Sequence, residues 1–166
     1  MPEPREERRA DFRWQLAIPT RWIDNDIYGH VNNVQYYSFF DTAVAAHLIE
    51  FGGLDMHNSP VIGFVVETKC QYFRPICFPD VIDAAIRVVK IGRSSVTYEI
   101  GLFRQGDEEP AAVGHFVHVY VERETNRSTE IPDERRRFHR PAQRVRKGSR
   151  AIPRLPLQLR RALSLY

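Results

Sequence analysis

Cysteine is almost missing from this sequence: 166 residues contain two, Cys70 and Cys77. They stand seven apart with no Cys or His at metal-ligand spacing, which argues against a disulfide framework and a zinc site and leaves buried thiols as the expectation. No run approaches the roughly 18 uninterrupted apolar residues of a membrane span. The N-terminal MPEPREERRADF is charged where a leader peptide would carry an apolar segment, so the chain is expected to be cytoplasmic. No glycine-rich stretch has the form of a phosphate-cradling nucleotide loop, and there is no internal repeat. Acidic residues are nearly absent from one end. Residues 134–166 hold 11 Lys or Arg against one Glu, net +10, whereas residues 1–133 hold 13 against 20, net −7. The pI near 9.0 therefore belongs to the tail. With no RNA-type aromatic motif in the rest of the chain, nucleic acid is not an expected partner.

What is present suits one domain of ordinary apolar content, large enough to bury a core. The segment TRWIDNDIYGHVNNVQYYSFFDTAVAAHLIEF, residues 20–51, combines a polar loop with a strongly apolar helix. The loop holds Asp24, Asp26, Gly29, His30, Asn32 and Asn33; either asparagine can cap the helix, because an Asn side chain accepts from an unpaired N–H of the first turn. The remaining free N–H groups and the positive end of the helix dipole then face whatever the loop binds. Gly52 and Gly53 stop the helix. Alternating or β-branched runs predict strands at 12–18, at 61–73, where the length suggests a bend, and at 81–91, 96–103 and 111–123, with short turns between the last three. Pro132 can open a short helix, PDERRRFH. These elements divide the chain into a disordered N-terminus at 1–11, a folded domain at 12–140 and a basic extension at 141–166. The class is α+β, with an antiparallel sheet of about five strands and one buried helix.

That order, with Asp24, Asp26, Gly29, His30, Asn32, Asn33 and Tyr36 at the spacing D-x-D-x-x-G-H-V-N-N-x-x-Y, resembles the 4-hydroxybenzoyl-CoA thioesterase family. Further matches fall in order at Tyr72 before Arg74 and Pro75, at Pro79 and Asp80, at the turn Gly92 to Ser95, and at Ile131 and Pro132. The resemblance covers about residues 12–138 and is silent on the tail. It implies the hotdog fold, a curled sheet wrapped around the central helix, and hydrolysis of an acyl-CoA to acid and CoA without a cofactor or metal.

A thioester needs an activated water or a carboxylate nucleophile, and donors for the oxyanion that develops on its carbonyl oxygen. The resemblance places the carboxylate at Asp26, as nucleophile or general base, and a polarising backbone N–H at Asn33. Asp24 is expected to hold the loop or to pair with Arg21. Plant-type acyl-ACP thioesterases share D-x-D-x-N-x-H-V-N-N and use the histidine, which implies a direct role for His30, although Tyr28 stands where they have asparagine. Gly29 would permit close backbone approach and Tyr36 would line the substrate site. Arg93 and Ser94, in the GRSS turn, would bind CoA phosphate. His47 reads as a core residue, and His115 and His118, three apart in a strand, face opposite ways. An acyl-ACP thioesterase and a non-catalytic acyl-thioester-binding domain are the alternatives. The unpaired sheet edge predicts a homodimer or homotetramer. The basic tail, with leucines at 155, 157, 159, 163 and 165, would pack between subunits or touch a membrane surface or carrier protein.

Overall fold

A computed structural model describes residues 7–139; the basic extension, with its leucine stripe, lies outside them. Five strands, β1 (Trp14–Pro19), β2 (Val61–Tyr72), β3 (Val81–Ile91), β4 (Ser95–Arg104) and β5 (Ala112–Glu122), form one antiparallel sheet in the order β1-β3-β4-β5-β2. Helix α1 (Asn33–Phe51) packs on one face, over β1 and β3, and the short α2 (Asp133–His139) closes the far end. Among the described residues no helix is long and apolar enough to cross a membrane.

Strand alternation builds the core. Val96, Tyr98, Ile100 and Leu102 of β4 point inward with Ile82, Ala84 and Ile86 of β3, and meet Tyr36, Phe39, Phe40, Ala43, Val44 and Leu48 of α1. Apolar residues on nearly every side of α1 are thus accounted for by burial on most sides. The expected bend in the long strand is a bulge between Val65 and Glu67, which reverses the facing of the residues beyond it. As read from the sequence, His118 is buried and His115 half-exposed, on opposite faces of β5.

Two boundaries differ from the sequence reading. The first strand begins at Trp14, because Phe12 leaves the ladder to stack edge-on against Phe103, at 5.6 Å between centroids, on the face away from α1. The N-terminus is also ordered from residue 7 rather than from 12. Arg9 forms a 2.6 Å ion pair with Asp83, donates to the Asp107 carbonyl and lies over the Phe103 ring, so residues 9–11 make a 3-10 turn on the sheet. A charged segment read alone gives no sign of the carboxylate waiting on β3.

Among the described residues β2 sits at the sheet edge with only β5 beside it. No described strand pairs with its other side, and the side chains of Phe64, Val65 and Val66 are exposed. An apolar edge strand of this length is a pairing surface.

Candidate active site

The loop between β1 and α1 is folded by its own polar groups. At its start, Thr20 donates from N and Oγ1 to the Asp80 carbonyl, at 3.0 and 2.6 Å, which ties the end of β1 to the start of β3. Asp24 follows, with none of its surface exposed, and accepts three hydrogen bonds from Arg21: from the backbone N at 2.6 Å, Nε at 3.0 Å and Nη2 at 2.8 Å. Its own carbonyl accepts from Asn32 N at 2.8 Å. A buried carboxylate held by charge-assisted bonds fixes the loop's geometry and has no free oxygen with which to do chemistry. The same contact, by hydrogen bonding first and charge second, raises the Arg21 pKa further above its ordinary value.

Asp26 is placed differently. Its backbone N donates to the His30 carbonyl at 2.8 Å, while Gly29 N donates to the Asp26 carbonyl at 3.0 Å, which closes a small hairpin between Asn25 and Val31. Gly29 turns that hairpin with φ +84°, a left-handed conformation in which a side chain would be strained. The close backbone approach expected at Gly29 is not made within the chain, since a Cβ there would meet nothing within 4 Å. One carboxylate oxygen of Asp26, Oδ1, accepts from Tyr28 N at 2.8 Å. The other has no partner among the described residues, and the side chain is only half-buried. The carboxylate is therefore oriented at one oxygen and free at the other.

The helix start supplies the second half. Asn32 is the N-cap: its Oδ1 accepts from Val34 N at 3.2 Å and its carbonyl from Gln35 N at 2.9 Å. Asn33 N is left between them with no acceptor among the described residues. An unpaired N–H at the positive end of a 19-residue helix is a donor waiting for an anion or a polarised carbonyl. Tyr72 of β2 donates its phenol to the Asn33 carbonyl at 3.2 Å and stacks edge-on against Tyr36, 4.9 Å between centroids, which braces this first turn from the sheet side. Burial, then the neighbouring Cys70 and Asp26, push the Tyr36 phenol above the usual tyrosine range, against a lowering by the Ile76 backbone, so Tyr36 lies in the field of the Asp26 carboxylate.

Asp26, Gly29, Asn33 and Tyr36 thus come together at the mouth of α1. His30 belongs to the same hairpin, but its ring is exposed and has no hydrogen-bond partner among the described residues. Arg93 and Ser94 do not join them. Pro19 and Val81 pair at the Asp26 end of the sheet, whereas the GRSS turn follows Ile91, ten residue steps further along β3. That is about 33 Å of strand at the usual rise. There Arg93 pairs with Glu130 at 2.8 Å and its carbonyl accepts from Ile131 N and Arg136 Nη2, while the Ser94 carbonyl accepts from Tyr120 N. Sequence reasoning missed Tyr72 as part of the site; the length of β2 suggested a bend, but nothing in the residues gave the position of the bulge that decides the face Tyr72 takes. Among the described residues no three His, Cys, Asp or Glu side chains are grouped to hold a metal ion.

An oriented carboxylate beside an unpaired helix N–H suits attack on a carbonyl whose oxygen must be stabilised as it gains charge. Known proteins resemble the chain in sequence and fold. Residues 19–139 match the family described as the thioesterase-like superfamily. The crystal structure of the PA5185 protein of Pseudomonas aeruginosa is 52% identical, covers 80% of this chain and 92% of its own, and superposes with a TM-score of 0.78. The PA2801 protein of the same organism is 31% identical over 75% of this chain and 95% of its own, with a TM-score of 0.70. DHNA-CoA thioesterase of Staphylococcus aureus, 19% identical over 76% of this chain and 85% of its own, shares the fold at a TM-score of 0.67.

Proposed function

The chain belongs to the thioesterase-like superfamily of hotdog-fold thioester hydrolases, and from that premise we propose that it hydrolyses an acyl-CoA to the free acid and CoA, with Asp26 as the carboxylate and Asn33 N–H as the oxyanion donor. The observation that carries this reading is the pattern of satisfied and unsatisfied groups at the start of α1. The cap takes the N–H groups of Val34 and Gln35 and leaves that of Asn33; the Asx turn takes one oxygen of Asp26 and leaves the other.

In the reaction, the free oxygen of Asp26 removes a proton from a water as its oxygen attacks the thioester carbon. The negative charge that gathers on the carbonyl oxygen is held by Asn33 N–H and the helix dipole. As the tetrahedral adduct collapses, the carbon–sulfur bond breaks, and the departing thiolate takes back the proton that Asp26 accepted. Asp24 holds the loop and Tyr72 holds the first turn; neither exchanges a proton.

Arg93 and Ser94 enter through a second copy of the chain. The N-terminal half of β2 lies at the GRSS end of the sheet, since Phe64 pairs with Val119 and Val119 with Ser95, while its C-terminal half ends at Tyr72 beside Asn33. Antiparallel pairing of two β2 edges would bring the partner subunit's Arg93 and Ser94 to the end where Asp26 lies. They would stand three strands from this subunit's β2, about 15 Å at the usual spacing, so that a bound CoA reaches from one subunit's helix to the other's turn. Asp26→Asn tests the chemistry: kcat for acyl-CoA hydrolysis, followed by thiol release, is expected to fall about a hundredfold or more with KM little changed. Activity within a few-fold of the parent would refute the assignment.

A further inference from the structure

We propose that Asn25, which stands between the two aspartates of the loop, is the positioning residue for the Asp26 carboxylate: its side-chain amide ties the tip of the Asp26 hairpin to the segment between β2 and β3. The inference rests on the thioesterase reading above, in which Asp26 activates the water.

Packing does not hold that tip. Ile27 and Tyr28 are 94% and 82% exposed, and Gly29 and His30 are exposed beside them. The hydrogen bonds from Asp26 N to the His30 carbonyl, from Gly29 N to the Asp26 carbonyl and from Tyr28 N to Asp26 Oδ1 all run within residues 26–30. They give the turn its shape but do not fix its place on the sheet. At the base of the hairpin, Val31 N donates to the carbonyl of the buried Ile76 at 2.7 Å. Among the described residues, the one hydrogen bond that leaves residues 26–30 is that from Asn25 Nδ2 to the Gly29 carbonyl, at 3.3 Å.

The other end of the same amide reaches a fixed point. Asn25 Oδ1 accepts from Phe78 N at 3.1 Å. Phe78 lies in a turn closed by its own bonds, since Asp80 N donates to the Cys77 carbonyl at 2.8 Å and Cys77 N donates to Asp80 Oδ2 at 3.1 Å. The Asp80 carbonyl takes the two bonds from Thr20 where β1 meets β3, and Trp22 stacks edge-on against Phe78 with 5.9 Å between centroids. A line of contacts thus runs from the sheet through Phe78 and Asn25 to Gly29, the left-handed residue at which the hairpin turns back. Holding the Gly29 carbonyl fixes the peptide that leads into His30, whose own carbonyl accepts from Asp26 N. The task needs a donor and an acceptor on one short side chain, which an amide has. Aspartate would keep the acceptor for Phe78 N but set an oxygen against the Gly29 carbonyl, and alanine would lose both bonds.

A double-mutant cycle separates positioning from general loosening of the loop. Thiol release is followed for the full-length chain on acetyl-, butanoyl-, benzoyl- and palmitoyl-CoA, and kcat and KM on the fastest of these are measured with Asn25→Ala and Asn25→Asp, each alone and combined with Asp26→Asn. Asn25→Ala is expected to lower kcat about tenfold or more with KM little changed, because a displaced carboxylate costs rate and not binding. Asn25→Asp, nearly the same size and still bonded to Phe78 N, is expected to lose a similar factor, and it carries the test if the alanine variant does not fold. In the Asp26→Asn background either substitution should change the residual kcat by less than about twofold, since the group it positions is gone. The same factor in both backgrounds, or a kcat within about twofold of the parent in the folded Asn25 variants, would overturn the positioning role while leaving the thioesterase reading intact. Asp26→Asn within a few-fold of the parent, or no hydrolysis of any member of the panel, would overturn both.

Discussion

Lowering the pH from 7 to 5 should remove most of the stability of this domain, through three buried histidines outside the loop that carries Asp26. His47 of α1, His118 of β5 and His139 of α2 are 8%, 6% and 1% exposed. His139 shares Nε2 between the phenols of Tyr98 and Tyr120, at 3.3 and 3.0 Å, while both ring nitrogens of His118 and Nδ1 of His47 and His139 lack partners among the described residues. Burial pushes each pKa down to about 4, helped at His47 by His139 and at His139 by Arg135 and His118. The folded value lies below the unfolded one, so stability is whole above about pH 6.5 and is lost as pH falls toward 4. At pH 5 the unfolded chain has bound nearly three protons that the folded chain has not. Each is worth about 2 kcal/mol at that pH, and together about 6 kcal/mol, comparable to the whole stability of a small domain. Asp41, an exposed residue of α1 whose carboxyl is raised by partial desolvation against the helix surface, acts in the opposite sense. Urea unfolding followed by tryptophan fluorescence at intervals between pH 7 and 5 should show this fall, steepening toward about 4 kcal/mol per pH unit. His118→Leu should remove about a third of the slope while costing little at pH 7, because no hydrogen bond is broken. A stability that stays flat over this range, or a slope unchanged in His118→Leu, would refute the reasoning.

Three further outcomes are expected. Asp24→Asn should lower thermal stability by about 2 kcal/mol, by weakening three charge-assisted bonds to a half-exposed arginine, and should do so in differential scanning calorimetry where Asp26→Asn leaves the transition nearly unmoved; equal effects would contradict the division of roles. Static light scattering at micromolar concentration should give at least a dimer, and a particle near the 19.4 kDa of one chain would exclude β2 pairing. Truncation after Pro141 should leave hydrolysis of small acyl-CoAs unchanged. Each basic residue near an anionic surface is worth about 1 kcal/mol, so co-sedimentation with anionic vesicles decides the membrane role: equal low binding by both forms excludes it.

Local signals were the ones that could be read in the residues. The limits of α1 followed from Asn32 and Gly52, those of β3 from a β-branched run between Asp80 and Gly92, and the Arg21 to Asp24 pair from charge three residues apart. None of these needs a distant partner. What could not be read depends on residues remote in the chain: Arg9 ordered by Asp83, Phe12 drawn off its strand by Phe103, and the place between Val65 and Glu67 at which the expected bend of β2 falls. A bulge transfers every later side chain to the other face, so no alternation pattern could have placed Tyr72 over the first turn of α1.

The site divides along the same line. Asp26, Asn33 and Tyr36 could be grouped from the sequence because one hairpin and one helix turn hold them, with spacing that survives folding. The capping rule alone did not say which N–H stays free, since either asparagine satisfies it; the family resemblance named Asn33, and the bond from Asn32 Oδ1 to Val34 N leaves the Asn33 N–H unpaired. Arg93 and Ser94 were grouped with the loop by motif order, and order along a chain carries no distance. The antiparallel ladder sends β3 away from Asp26 and turns it at Gly92, so two residues assigned to one site stand at opposite ends of one sheet. If both ends serve one substrate, the sheet cannot supply them from a single chain. The same length of β3 that parts them in one subunit is what would let an antiparallel partner reunite them, which under the proposed function would make the exposed edge of β2 part of the site.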